Sequence, residues 1–227
     1  MAVITVANGK GGTGKSSSTL ILATVLASKG ASVSVLDGDP NRPIAAWRAA
    51  GLSRSDVPVL SDITESRIVG TIDAERAKRQ FVLIDCEGTA NRMVSRAIAR
   101  SDLVIVPMQA SAIDAAQAAR AVGLIREEEE VLTRAIPARI LMTRTSPQIK
   151  TRNERLIVDE LKRAGIPMLQ THLCERQAYK SMWTYSCALD ELDPALVNGL
   201  AAAITNAENL AAEIVEVVRS LTMRTAA

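Results

Sequence analysis

The 227-residue chain carries 27 basic and 25 acidic residues for a net charge of +2, with 48% hydrophobic and 23% charged residues. That is the make-up of a globular chain long enough to bury a core. Aromatics at 2% leave the core to Ala, Val, Ile and Leu and argue against nucleic-acid binding by base stacking. Three widely spaced cysteines, Cys86, Cys174 and Cys187, form no C-x-x-C pair, which argues against a disulfide framework or metal cluster. The absence of a signal-type N-terminus and of an apolar run of about 18 residues gives the expectation of a cytosolic chain without a membrane span.

In chain order, an apolar strand over Val3–Ala7 runs into a glycine-rich loop, followed by a helix over Lys15–Lys29 with Gly30 as its C-cap. A strand at Ser32–Leu36 ends in Asp37-Gly-Asp39-Pro. Strand Val57–Leu60, helix Glu65–Arg79 and strand Phe81–Ile84 follow, and Asp85 stands directly after that last apolar run. Helix Asn91–Arg100, strand Leu103–Val106, helix Ile113–Leu132, strand Ala138–Met142, helix Thr151–Ala164, strand Pro167–Gln170 and helix Pro194–Leu221 complete the pattern. Strands, several of them apolar throughout, alternating with helices predict an α/β fold: a doubly wound, mostly parallel sheet flanked by helices. No repeat, linker or low-complexity tract interrupts residues 1–227, so a single domain is expected.

Residues 9–16 match G-x-x-x-x-G-K-[ST], placed between a predicted strand and a predicted helix. Such a loop turns backbone N–H groups onto phosphates, and the helix N-terminus adds partial positive charge. Gly11, Gly12, Thr13, Gly14, Lys15, Ser16 and Ser17 are the predicted nucleotide contacts. Lys15 is expected to bridge the β- and γ-phosphates and Ser16 to ligate Mg2+. A second lysine, Lys10, must face solvent or meet an anion. An exposed loop lysine and a lysine reaching a second subunit's phosphates both fit that spacing.

In a parallel sheet the strand ends form one edge, where ligands bind. Asp37, Asp39 and Asp85 would gather there and repel one another without a cation, a role that Mg2+ fills. Asp85 suits the Walker B position, with Ser16 and Asp37 completing the metal side and Asp37 also supporting its loop. Asp39 is placed to orient the attacking water. The lone His172 and the two tryptophans, Trp47 and Trp183, read as structural residues.

Lys10-Gly-Gly-Thr-Gly-Lys-Ser-Ser, Asp37-Gly-Asp39-Pro and Val-Leu-Ile-Asp85 resemble the ParA/MinD family of deviant Walker ATPases. The likeness continues through Ser101-Asp-Leu-Val-Ile-Val-Pro107, Ser111-Ala-Ile-Asp114, Ile140-Leu-Met-Thr-Arg144 and Glu175-Arg-Gln-Ala-Tyr179. The short stretch ahead of the loop is similar to the small, ParF-like partition ATPases, and the T-DNA-transfer ATPase of the VirC operon is also similar. The resemblance implies that Lys10 reaches across an ATP-bound dimer, that Asp39 activates water and that Thr143 and Arg144 lie near the adenine. Two positions depart from the family pattern. Cys86-Glu87-Gly88 stands where many members have Pro-Pro, which makes Glu87 a rival to Asp39, and Asn41 stands where many have Gln.

The resemblance further implies a homodimerising ATP hydrolase using ATP and Mg2+ for plasmid or chromosome partition. It would bind DNA non-specifically, associate with the nucleoid in the ATP state and answer to a ParB-type centromere-binding partner. Expected DNA contacts are Lys150, Arg152, Arg155, Lys162, Arg163, Arg176 and Lys180. Two alternatives share the enzymology: an accessory ATPase for conjugative or T-DNA transfer, and a MinD-like membrane-positioning ATPase. The last helix lacks the dense basic face and bulky aromatics that membrane positioning would want. A nitrogenase-type iron protein would need cluster-ligating cysteines that these three do not supply.

Overall fold

The computed structural model describes residues 1–88, 91–149 and 151–225. Seven parallel strands form one sheet: β1 (Ala2–Val6), β2 (Val33–Gly38), β3 (Val59–Leu60), β4 (Phe81–Cys86), β5 (Leu103–Met108), β6 (Ala138–Thr145) and β7 (Leu173–Cys174), in the order β3-β2-β4-β1-β5-β6-β7. The helices are α1 (Lys15–Ser28), α2 (Pro43–Ala49), α3 (Ile68–Arg76), α4 (Arg92–Ala99), α5 (Ala112–Leu132), α6 (Arg152–Arg163), α7 (Gln177–Tyr185) and α8 (Leu200–Thr225).

Strand alternation divides the core into two layers. Ile4, Val6, Leu83 and Ile105 pack with α1, α2, α7 and α8 through Leu22, Trp47, Met182 and Ile214. Their neighbours Val3, Val82, Ile84 and Val104 point the other way, onto Ile72, Ile98, Ile125 and Leu161 of α3–α6. Burial on both faces is what the uninterrupted apolar strands require. Each fully buried Leu or Ile contributes about 2–3 kcal/mol of transfer free energy.

The structure adds two helices that the sequence pattern does not announce. Helix α2 starts with Pro43 at its first turn after Arg42 in the left-handed region, and it buries only Ile44 and Trp47. Helix α7 is short and buries Ala178, Tyr179, Ser181 and Met182. The predicted strand Pro167–Gln170 reduces to a single parallel bridge, Ile140 to Met168, and the true seventh strand is Leu173–Cys174. The Glu213 carboxylate of α8 accepts the N–H groups of Gln170 at 2.6 Å and Thr171 at 2.8 Å, so they cannot join the ladder. Helix α8 begins at Leu200 rather than Pro194, after Gly199 with φ of 71°. Helix α3 runs over Ile68–Arg76, shorter than the expected Glu65–Arg79. Among the described residues no helix is long and apolar enough to cross a membrane.

Candidate functional site

The loop after β1 is held by its own Asn8 and by groups at the ends of two other strands, β5 and β6. The Asn8 side chain donates to the Pro107 carbonyl at 2.7 Å and accepts from the Lys10 N–H at 3.0 Å. Gln109 donates to the Gly12 carbonyl at 3.0 Å, and the Thr143 hydroxyl lies 2.8 Å from the Thr13 carbonyl. Gly12 and Gly14 have φ of 78° and 97°, the left-handed region that a Cβ would strain. Gly14 immediately precedes α1, so the first turn of that helix opens onto the loop. A cavity of about 480 Å³ lies over it, lined by Gly12, Lys15, Ser16, Asp39, Glu87 and Arg144, among others. A larger cavity of about 610 Å³ lies at the opposite edge of the sheet, around Ala2, Phe81 and Val218, and shares none of these groups.

Lys15 is buried, 7% exposed, and its Nζ donates to the Lys10 carbonyl at 3.0 Å. Burial lowers its pKa, against the opposing pull of Asp85 and Asp39. Asp37 and Asp85 are register partners on adjacent strands, and Asp85 is also the register partner of Val6, two residues before Asn8. Asp85 is fully buried and neither of its carboxylate oxygens has a hydrogen bond of normal geometry. Burial pushes its pKa up to about 7; Ser16 lies near enough to lower it, while Asp37 raises it further. Asp37 accepts from the Ala45 N–H at 2.8 Å through Oδ2, whereas its buried Oδ1 has no partner. Its pKa is also raised, chiefly by burial.

Three unpartnered carboxylate oxygens beneath a glycine loop fit a divalent cation. The protein side alone is an incomplete cage, since the described residues contain no group of three His, Cys, Asp or Glu arranged to hold a metal. Mg2+ usually keeps several waters and takes phosphate oxygens, so it needs few protein ligands; neither Asp37 nor Asp85 lines the cavity over the loop.

Asp39 and Glu87 both line the cavity. Asp39 Oδ1 accepts from the Asn41 backbone at 2.8 Å and its side chain at 3.0 Å, so the departure at Asn41 has a local role in fixing that carboxylate. Glu87 accepts from the Asn91 side chain at 3.2 Å.

Lys10 meets an anion within its own chain. Its Nζ lies 3.0 Å from Asp114 Oδ2, the lysine side chain being 38% exposed and the aspartate 3%. Ser111 also bonds to Asp114 Oδ2, and Oδ1 is left unpartnered. Asp114 stands in the Ser111-Ala-Ile-Asp114 segment quoted for the resemblance, but no partner was expected for it there. The signal for one was a carboxylate in the first turn of a helix that follows a strand end.

Thr143 is buried and braces the loop, while Arg144 has φ of 52° and lies 3.8 Å from Glu175. The expected DNA contacts divide. Arg152, Arg155, Lys162 and Arg163 are exposed along α6. Lys150 lies outside the described residues. Arg176 and Lys180 line a second cavity beside Gly14, Ser17 and Thr143, and Lys180 pairs with Glu175 at 2.5 Å.

The VirC1 protein family model matches residues 1–219. A protein ParA of Rhizobium radiobacter is 41% identical over 214 residues, covering 94% of this chain and 96% of that protein. Among solved structures, a plasmid partition protein of Borrelia burgdorferi B31 bound to AMPPNP superposes with a TM-score of 0.69 at 20% identity, covering 95% of this chain and 98% of that one. The MinD cell division protein of Aquifex aeolicus gives 0.67 at 18%, covering 92% and 97%. The chain belongs to the VirC1 family and is related to ParA over nearly its whole length.

Proposed function

We propose that this chain is an ATP-dependent dimerising ATPase that segregates or positions DNA. The observation that carries the reading is the buried set of Lys15, Asp37 and Asp85 under the glycine loop, with carboxylate oxygens that lack partners. The loop N–H groups and the N-terminus of α1 receive the phosphates, and Lys15 turns from the Lys10 carbonyl to the β- and γ-phosphates. Ser16, Asp85 and Asp37 would hold Mg2+, which would neutralise charge on the phosphates. Thr143 and Arg144 border the adenine. Asp39, fixed by Asn41, orients the attacking water; Glu87, which also lines the cavity, is its rival.

In the nucleotide-free chain Lys10 is held by Asp114. In the ATP dimer it leaves that carboxylate and reaches the partner's phosphates, where a point charge stabilises both the interface and the transition state. Dimerisation doubles the basic face of α6, giving salt-dependent, sequence-independent DNA binding and nucleoid association in the ATP state. A ParB-type partner fits this cycle.

The VirC1 match favours a second reading, an accessory ATPase for DNA transfer with the same site chemistry. The 41% likeness to a ParA over nearly the whole chain keeps partition first. The membrane-positioning reading is the weakest, because Leu210 and Ile214 of α8 are buried in the core. A titration calorimetry experiment with ATP and Mg2+ tests the site: Lys15→Ala is expected to lose binding at least a hundredfold. Wild-type affinity in that variant refutes the assignment.

A further inference from the structure

The chain has two tryptophans, and both send their indole N–H to the same two-residue stretch or from it. Trp183 of α7 donates to the Ser17 hydroxyl at 3.2 Å. Trp47 of α2 donates to the backbone carbonyl of Met182, the residue preceding Trp183, at 2.9 Å. Ser17 is the third residue of α1, next to the proposed Mg2+ ligand Ser16. Helix α2 leads directly from the Asp39 loop: the Arg42 N–H bonds to the Asp39 carbonyl at 2.9 Å, and the Ala45 N–H bonds to Asp37 at 2.8 Å. Helix α7 is itself moored to α8, where the Tyr179 hydroxyl donates to the Ala203 carbonyl at 3.0 Å.

An indole N–H is a donor only, so Trp→Phe removes each of these bonds, together with part of the packing of the buried Trp47 ring. Trp47 and Met182 are buried, 4% and 0% exposed, and transmit displacement as packed groups do. Trp183 is half-buried and lines the cavity that holds Gly14, Thr143 and Arg144, where the base would sit.

We infer that α7 is a strut that sets the spacing between the phosphate-loop helix and the Asp39 loop, with Trp183 and Trp47 as positioning residues. Trp183 fixes the start of α1 and one wall of the base cavity, so it governs nucleotide affinity. Trp47 fixes α2 and through it the water-orienting loop, so it governs turnover. The inference rests on the ATPase reading given above.

The test compares full-length wild type, Trp183→Phe and Trp47→Phe by ATP calorimetry, steady-state hydrolysis, thermal melting and tryptophan emission. Loss of one hydrogen bond predicts about a 3- to 10-fold effect. Trp183→Phe is expected to weaken ATP binding and raise KM by that factor with kcat within twofold. Trp47→Phe is expected to lower kcat by that factor with affinity within twofold. In Trp47→Phe the remaining Trp183 emission shifts on adding ATP and Mg2+, and the shift disappears when Lys15→Ala is added. The Trp183→Phe measurements decide alone if Trp47→Phe does not fold. The inference is overturned if Trp183→Phe binds ATP with wild-type affinity, if Trp183 emission ignores saturating ATP, or if affinity and turnover fall together in step with melting temperature. Failure of the underlying reading shows separately, as wild type that neither binds nor hydrolyses ATP.

Discussion

Lys10→Ala separates the two partners that the free chain and the proposed dimer offer this lysine. At 3.0 Å from Asp114, an unscreened pair at an effective dielectric of 20 would interact by roughly 5–6 kcal/mol. The lysine side chain is 38% exposed, so screening and side-chain entropy reduce the net value towards the ~0–1 kcal/mol of surface pairs. Because Asp114 is buried, stranding it adds desolvation cost, and about 1–2 kcal/mol is the expected loss. For a chain of this size that lowers the melting temperature by about 2–8 °C. A double-mutant cycle with Asp114→Asn, read by denaturant unfolding without nucleotide, should return a coupling of the same ~1–2 kcal/mol. With ATP the same Lys10→Ala variant should bind nucleotide as a monomer, fail to dimerise on size exclusion and lose most hydrolysis. Mixing it with Asp39→Ala should restore part of the activity, since one site of each hybrid then receives Lys10 from the partner while keeping its own Asp39. Zero coupling in the cycle refutes the Lys10–Asp114 pair, and normal ATP dimerisation by Lys10→Ala refutes the lysine's action across the interface.

Asp39→Ala should bind ATP and dimerise yet turn over at least tenfold more slowly, because water orientation matters in the transition state and little in the ground state; wild-type turnover in a phosphate-release assay would transfer the role to Glu87. Asp85→Asn removes a buried carboxylate whose oxygens have no partners. It should raise the melting temperature of the nucleotide-free chain by a few degrees, of order 1 kcal/mol, while abolishing the Mg2+-dependent part of ATP affinity; a destabilised variant with intact Mg2+ dependence would contradict the assignment. DNA binding should require ATP, fall steeply with salt in an anisotropy titration, and weaken uniformly across sequences in Arg152→Ala and Arg155→Ala. Salt-insensitive binding without nucleotide would overturn it.

The glycine-rich loop between β1 and α1 was legible because its pattern is contiguous: glycines, a lysine and a serine at fixed spacing between an apolar strand and a helix. Asp37 and Asp85 were legible for a related reason. Each stands at the end of a short run rich in Val, Leu or Ile, and parallel strand ends share one edge. Helices α2 and α7 were not, since each is short and buries only a few side chains, too few for periodicity to register. The seventh strand was misplaced because Glu213, more than forty residues downstream, takes the N–H groups that a strand at Gln170 and Thr171 would need.

By itself the sequence determined which residues could form an anion-binding loop and which could line a strand edge, since turn chemistry and side-chain period are local properties. The tertiary structure alone decided which of these groups meet. Asp37 stands beside Asp85 only because β2 pairs with β4. Lys10 finds Asp114 across 104 residues of chain, and Trp183 finds Ser17 across 166. Such partners are chosen by how strands order themselves and how helices pack over both faces of the sheet. That choice is made by burial summed over the whole core, and no local window of residues carries it.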